Sequence, residues 1–374
     1  MNHLLTMKKI QIEGFSDERW TPIVKGIDLN LDKGEVLGLI GESGAGKSTL
    51  GLAAMGYTRQ GCRIVSGSIV FNDMELTKAS KEELRDLRGS RIAYVAQSAA
   101  ASFNPAHRLI KQYAEAPIQH GLMNFSEAEK KAIDIYGRLL LPDPEKIGYR
   151  YPHQVSGGQL QRAMVAMAMS CQPDIIVFDE PTTALDVTTQ IEVLAAIKEI
   201  TRQFNTAALY ITHDLAVVAQ LADHIMVLRY GELVEEGNTR ELLANPKEEY
   251  TTEVLSVRTL REDKEQLTKD KDVILQVKDV SASYVNGLKV LEDISLKIRR
   301  RKTVAVVGES GSGKSTLARV ITGLLPPLEG KVIFDGEELP PALKSRERES
   351  LRRLQMIYQM PDRALNPKLK VRKI

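Results

Sequence analysis

Residues 41–50 read GESGAGKSTL, and residues 308–317 read GESGSGKSTL. Each contains the spacing GxxxxGK[ST] between an apolar run and a helix-forming run. That spacing suits a loop that wraps phosphate. Glycines let backbone N–H groups turn inward toward anionic oxygens, and the following helix points its positive N-terminus at the same place. Lys47 supplies a mobile cation for terminal phosphates, and Ser48 offers a hydroxyl to Mg2+. Gly41, Glu42, Ser43, Gly44, Ala45, Gly46, Lys47, Ser48 and Thr49 are therefore the first nucleotide-binding candidates. Gly308, Glu309, Ser310, Gly311, Ser312, Gly313, Lys314, Ser315 and Thr316 are their counterparts.

The two loops are offset by 267 residues, from Gly41 to Gly308, and the match extends outward from both. Upstream, VKGIDLNLDKGEVLGLIG (24–41) lies over LEDISLKIRRRKTVAVVG (291–308). Downstream, GSIVFNDMEL (67–76) lies over GKVIFDGEEL (330–339), and YVAQSAAASFNP (94–105) over YQMPDRALNP (358–367). A period this long is a duplicated domain rather than a solenoid repeat. Between the copies, RTLREDKEQLTKDKD (258–272) is dense in charge and poor in apolar residues. It reads as a linker or, equally, as an exposed helix. The expected organisation is a domain over 1–257, a charged linker over 258–272 and a second domain over 273–374.

Composition narrows the class. The chain has 374 residues, 43% hydrophobic and 27% charged, with a net charge of +2. That balance fits a globular protein of two or three domains and gives no electrostatic reason to expect a nucleic-acid partner. Two cysteines, Cys62 and Cys171, lie far apart and suit a reducing cytoplasm. There is neither a run of about 18 apolar residues nor a signal-peptide pattern, so any membrane role requires a partner.

EVLGLI (35–40), DIIVFDE (174–180) and AALYITHD (207–214) are short continuous apolar runs, the pattern of parallel strands buried on both faces. IEVLAAIKEITRQF (191–204) and SEAEKKAIDIYGRLLL (126–141) have helical periodicity, the latter with a Ser126/Glu129 capping box. Alternating strands and helices argue for an α/β core with a parallel sheet. At the end of the second run, Asp179 suits Mg2+ coordination and Glu180 suits activation of an attacking water. Ser156-Gly157-Gly158-Gln159 leads into another helix. It is either a further set of amides for phosphate or a plain glycine turn with a cap.

The phosphate loop, VSGGQ (155–159), FDEPTTALD (178–186) and ITHD (211–214) follow one another in the order of the ATP-binding cassette (ABC) ATPases, and the chain resembles that family over nearly its whole length. RYPHQ (150–154), SFNP (102–105) and NPKEEYTTEVL (245–255) look like the branch that imports dipeptides, oligopeptides and nickel. The resemblance implies a P-loop NTPase fold with a parallel core sheet, an antiparallel β subdomain and a helical subdomain over about 98–170. It also implies ATP and Mg2+ as cofactors. Gln97 matches the glutamine that senses Mg2+ and faces the membrane subunits, with Gln359 as its second-copy counterpart. Ser156 to Gln159 match the signature that closes over ATP on an opposite cassette. Asp186 matches the residue that couples two sites, and His213 the switch histidine at the γ-phosphate. An aromatic residue that stacks on adenine is expected at Tyr284 in the second copy. In the first copy it is Trp20 or Phe15, with Trp20 preferred.

The same resemblance implies an ATPase that powers uptake through two membrane-spanning permease subunits, fed by a periplasmic or extracellular solute-binding protein. Its expected place is peripheral, on the cytoplasmic face of the inner membrane. Residues 214–374 hold no cysteine, so the iron–sulfur cluster of some relatives is not expected. The second copy carries Gln359 and stops at Ile374 without a second SGGQ, DEPT or THD, about 150 residues short by the spacing of the first copy. The chain thus reads as a fused two-cassette ATPase with an incomplete second half. A complete composite site then needs a homodimer or another ATPase chain. Two other readings stay open: a remnant that binds nucleotide without productive turnover, and a soluble nucleic-acid-associated cassette protein. Against the latter stand EPTTALD in place of EPTNHLD, a short linker without a basic arm, and too few cysteines for zinc fingers.

Overall fold

A computed structural model describes residues 3–182, 187–256, 272–284, 289–308, 311–358, 365–366, 368–370 and 372. The chain forms two compact units, Met1–Arg261 and Glu262–Ile374. In unit 1 the strands are β1 (Leu5–Ser16), β2 (Arg19–Leu31), β3 (Val36–Ile40), β4 (Cys62–Phe71) and β5 (Met74–Glu75). They continue with β6 (Ile92–Val95), β7 (Ile175–Asp179), β8 (Ala207–Ile211), β9 (His224–Arg229) and β10 (Glu232–Asn238). The helices are α1 (Lys47–Ala53), α2 (Lys81–Leu87), α3 (Ala99–Ser102), α4 (Leu109–Gln119), α5 (Phe125–Arg138) and α6 (Pro144–Ile147). After them come α7 (Gly157–Met169), α8 (Val187–Gln203), α9 (Leu215–Leu221), α10 (Thr239–Ala244) and α11 (Glu249–Ser256).

Two sheets organise unit 1. One is antiparallel, in the order β2-β1-β4-β5. The other runs β10-β9-β3-β8-β7-β6, parallel except for the β9–β10 hairpin at one edge. The three apolar runs read as buried strands are β3, β7 and β8. Each sends alternate side chains into two cores, as the two-residue period of a strand requires. Leu37, Leu39, Ile175, Val177, Leu209 and Ile211 pack toward α1 and the antiparallel sheet. Ile176, Phe178, Ala208 and Tyr210 pack toward α7 and α8. A strand with two buried faces carries no polar alternation, which is why these runs are continuous.

The helix over 126–141 begins earlier than its sequence signal suggested. Asn124, not Ser126, caps α5, and its partner in the capping box is Glu127, not Glu129. Both pairs have the required spacing of three, and Asn caps as well as Ser. The earlier start adds half a turn while keeping Ala128, Ala132, Ile135 and Tyr136 on the buried face.

Unit 2 contains β11 (Val273–Ser283), β12 (Lys289–Arg299), α12 (Lys314–Thr322), β13 (Glu329–Phe334), β14 (Glu337–Glu338) and α13 (Arg348–Arg353). Its sheet is antiparallel, in the order β12-β11-β13-β14, and α12 places Leu317 and Val320 against Leu275, Val277, Val280 and Phe334. By alignment with the first copy, TVAVVG (303–308) and the stretch up to Gln359 correspond to β3 and β6, but neither forms a strand among the described residues: 302–308 and 355–358 have no strand pairing. Val307 is 86% exposed and Ile357 96%. A parallel strand is held only by its neighbours, and in unit 1 β3 lies between β8 and β9. Residues 273–374 supply no counterpart of β7, β8 or β9 among the described residues.

Candidate functional site

The phosphate loop leaves the carboxyl end of β3 and closes on α1. Gly41 (φ 143°) and Gly46 (φ 91°) hold backbone conformations that side-chain-bearing residues rarely adopt. A Cβ on Gly41 would lie 2.0 Å from the Leu228 carbonyl oxygen, and one on Gly46 would lie 3.0 Å from that of Ile23. The loop is thus wedged against the backbone of β9 and β2: a side chain is excluded at Gly41 and strained at Gly46. Lys47 opens α1, is 5% exposed, and donates from Nζ to the carbonyl oxygens of Gly41 and Glu42 at 2.8 Å each. Burial pushes its pKa down, while the charges of Glu180, Asp179 and Glu42 hold it up. The ammonium caps the loop's own carbonyls, the position from which it can turn to an anion in the loop.

The carboxyl end of β7 brings Asp179 and Glu180 beside this loop. Ser48 Oγ donates to Asp179 Oδ1 at 2.7 Å. On Glu180, Gln97 Nε2 donates to Oε2 at 3.2 Å, and His213 Nδ1 lies 3.1 Å from Oε1. Glu180 itself has φ 48°, and its N–H donates to the Ile211 carbonyl at 2.9 Å, which aims its side chain off the strand end. Gln97 follows β6 and His213 follows β8, the two strands that flank β7. Residues from four separate stretches of sequence therefore meet at the carboxyl end of one parallel sheet, the edge where open α/β sheets place ligands.

The other candidates are arranged as follows. Ser156 caps α7 and forms a reciprocal box with Gln159; Gly157 and Gly158 fill the first turn. Among the described residues no hydrogen bond joins Ser156 or Gln159 to the Lys47 cluster. Trp20 opens β2 opposite Phe15 of β1, and their rings lie 5.3 Å apart with the Arg63 guanidinium 4.0 Å from the Trp20 ring centre. The two adenine candidates thus occupy one aromatic corner. In unit 2, Lys314 Nζ donates to Gly308 O at 2.7 Å, while Ser315 is exposed on α12. Tyr284 follows β11, and its hydroxyl lies 3.3 Å from Thr316 Oγ1 and accepts from Arg319 at 2.9 Å. Asp186, Glu309, Ser310 and Gln359 lie outside the described residues.

Two tyrosines enter the site that sequence reading did not single out. Tyr94 donates to Asp179 Oδ2 at 2.6 Å. Tyr250 of α11 accepts the Glu42 N–H at 3.1 Å. Tyr94 begins the YVAQ that ends in Gln97, and Tyr250 lies inside NPKEEYTTEVL.

Comparison with known proteins gives consistent findings. A family model described as ABC transporter matches residues 24–183 and 291–374. The ABC transporter ATP-binding protein YejF of Escherichia coli (strain K12) is 33% identical over 383 residues, covering 99% of this chain and 72% of its own length. The glutathione import ATP-binding protein GsiA of Salmonella choleraesuis (strain SC-B67) is 32% identical over 407 residues. That match covers 98% of this chain and 65% of the relative. The chain therefore spans about two thirds to three quarters of these relatives' length. Among solved structures, the dimeric ATP-binding cassette MJ0796, in a post-hydrolysis state with ADP and Pi, superposes with a TM-score of 0.57 at 25% identity. It covers 63% of this chain and 99% of its own. The fold is also that of cbiO1 from Clostridium perfringens (TM-score 0.57, 24% identity, 69% and 96% covered).

Proposed function

The chain belongs to the ABC transporter ATP-binding proteins, and we propose that it is the ATP-hydrolysing subunit of an importer for peptides or related small solutes such as glutathione. The observation that carries this reading is the Glu180 carboxylate, held between Gln97 and His213 beside Lys47, Ser48 and Asp179. Glu180 is the general base for the attacking water. His213 orients it and meets the γ-phosphate. Gln97 links it to the loop after β6, which faces the permease. Lys47 and the amides of Gly41–Thr49 bind the β- and γ-phosphates, and Trp20 or Phe15 stacks on adenine.

A Ser hydroxyl and a buried carboxylate 2.7 Å apart are a hard oxygen-donor pair, the chemistry that suits Mg2+. Ser48 and Asp179 would hold that ion, with Gln97 nearby. When bound, it neutralises developing charge on the phosphates. Ser156 to Gln159, at the N-terminus of α7, face ATP on another cassette, so two copies of unit 1 or a second ATPase chain complete the site, with Asp186 coupling the halves. We divide the chain into a full cassette over 1–257, with helical residues 98–170, a connector over 258–272, and a second, partial cassette over 273–374 that reaches the counterpart of Gln97 at Gln359. In the latter, Lys314, Ser315 and Tyr284 would bind nucleotide, with no base beside them among the described residues.

No helix among the described residues is long and apolar enough to cross a membrane. We place the chain peripherally on the cytoplasmic face of the inner membrane, bound to two permease subunits that receive solute from a binding protein. The test is reconstitution with its permease pair in liposomes. Uptake of labelled peptide or glutathione should require ATP and stop with Lys47→Ala. Uptake that survives this change refutes the importer reading.

A further inference from the structure

The Asp179 carboxylate is 4% exposed at the end of β7, and both of its oxygens carry donors. Ser48 takes Oδ1 at 2.7 Å, and the Tyr94 hydroxyl takes Oδ2 at 2.6 Å. The Arg59 guanidinium lies 3.9 Å from Oδ2, on a side chain that is largely in solvent. The last torsion of an aspartate is broad, so one hydrogen bond leaves the carboxylate plane free to swing. A second bond, on the other oxygen, fixes it.

The sheet explains how Tyr94 reaches. β6 and β7 pair in parallel with Tyr94 opposite Val177, two residues short of Asp179. A tyrosine hydroxyl is a neutral O–H donor at physiological pH. A neutral donor fixes the geometry of a carboxylate without neutralising it, so the full negative charge stays available to a cation. A lysine or arginine in this place would compete with the metal. Three residues on, Gln97 holds Glu180. The segment 94–97 thus holds both acidic residues of the site.

We propose that Tyr94 is a positioning residue that orients the Asp179 carboxylate for a divalent cation arriving with ATP. The proposal rests on reading Asp179 as the metal ligand, and the experiment separates the two. Binding of a fluorescent ATP analogue to the full chain is titrated with Mg2+, and again in EDTA. Bound Mn2+ is measured in parallel by electron paramagnetic resonance in the presence of ADP. Tyr94→Phe keeps the ring and its packing, and Tyr94→Met serves as a second variant without the hydroxyl.

Both variants should bind nucleotide in EDTA as the parent does. Their half-saturating Mg2+ should rise about tenfold, the scale of one lost hydrogen bond to a charged group. Asp179→Asn should raise it further. Tyr94→Phe with half-saturating Mg2+ within twofold of the parent overturns the proposal while leaving Asp179 in place. Equal weakening with and without metal, together with a lower unfolding midpoint, assigns Tyr94 a packing role only and also overturns it. An unchanged metal response in Asp179→Asn removes the metal-ligand reading and the proposal together.

Discussion

Replacing Glu180 by Gln separates chemistry from architecture at this site. Glu180 accepts from Gln97 Nε2 at 3.2 Å on one oxygen and lies 3.1 Å from His213 Nδ1 on the other. A glutamine amide has one acceptor and one donor end. Its oxygen can keep the Gln97 bond. Its NH2 can donate to His213 Nδ1 once the neutral imidazole carries its proton on Nε2. Both contacts survive, and the left-handed backbone (φ 48°) strains Gln no more than Glu. The structural cost is the charge assistance of two hydrogen bonds, about 1 kcal/mol in total, or about 2–4 °C in unfolding midpoint for a domain of this size. The catalytic cost is larger. An amide cannot take a proton from water, and a general base contributes about 10²–10⁴ in rate, equal to about 2.7–5.4 kcal/mol. Phosphate release under saturating Mg-ATP should therefore fall by at least about 10² while binding of a fluorescent ATP analogue persists. Turnover within about tenfold of the parent would sink the base assignment, and loss of binding would show that Glu180 shapes the loop rather than the chemistry.

Lys47→Ala should abolish analogue binding at unit 1 by removing the cation beside the terminal phosphates, whereas Lys314→Ala should leave turnover unchanged, because no base stands beside it among the described residues; equal loss in both would refute that asymmetry. Gly46→Ala forces a Cβ to 3.0 Å from the Ile23 carbonyl and a left-handed alanine, at about 1–2 kcal/mol for the backbone alone, so both affinity and unfolding midpoint should drop; calorimetry showing neither would contradict the wedged loop. Limited proteolysis should cut first in unit 2, near Val307 and Ile357, and Mg-ATP should protect unit 1 by mass action; a 273–374 fragment that outlasts unit 1 would mean its exposed segments close in solution.

The elements legible in the sequence are those whose signal is local. β3, β7 and β8 were readable because each is a single apolar run bounded by turns, and the phosphate loop because its glycines stand at fixed spacing. The α5 start was misplaced because two overlapping capping boxes satisfy the same rule, and only packing chooses between them. Tyr94 and Tyr250 escaped for a different reason. Their partners, Asp179 and Glu42, lie 85 and 208 residues away along the chain, and nothing in a tyrosine's immediate neighbours announces a partner at that distance. The counterparts of β3 and β6, over 303–308 and up to Gln359, failed in the opposite sense. Their local pattern is right, but a buried parallel strand is a property of its neighbours as much as of itself.

The duplicated loop makes that division of labour explicit. The two copies shape nearly the same backbone: φ is 143° at Gly41 and 152° at Gly308, and 91° at Gly46 and 93° at Gly313. Lys47 and Lys314 reach back to the equivalent carbonyl at 2.8 and 2.7 Å. At the described glycines, the local sequence therefore sets the same backbone angles with or without a parallel sheet behind it. It does not suffice to build the site. In unit 1, β7 and β8 carry Asp179, Glu180 and His213 to the cradle and bury Lys47 among negative charges. In unit 2, the strand that should enter the loop lies exposed, and no carboxylate pair arrives among the described residues. Glycine loops thus occur twice in the chain, whereas among the described residues strands that bring a carboxylate pair converge on one of them, at Lys47. The asymmetry between Lys47 and Lys314 is where these two counts lead to different measurements.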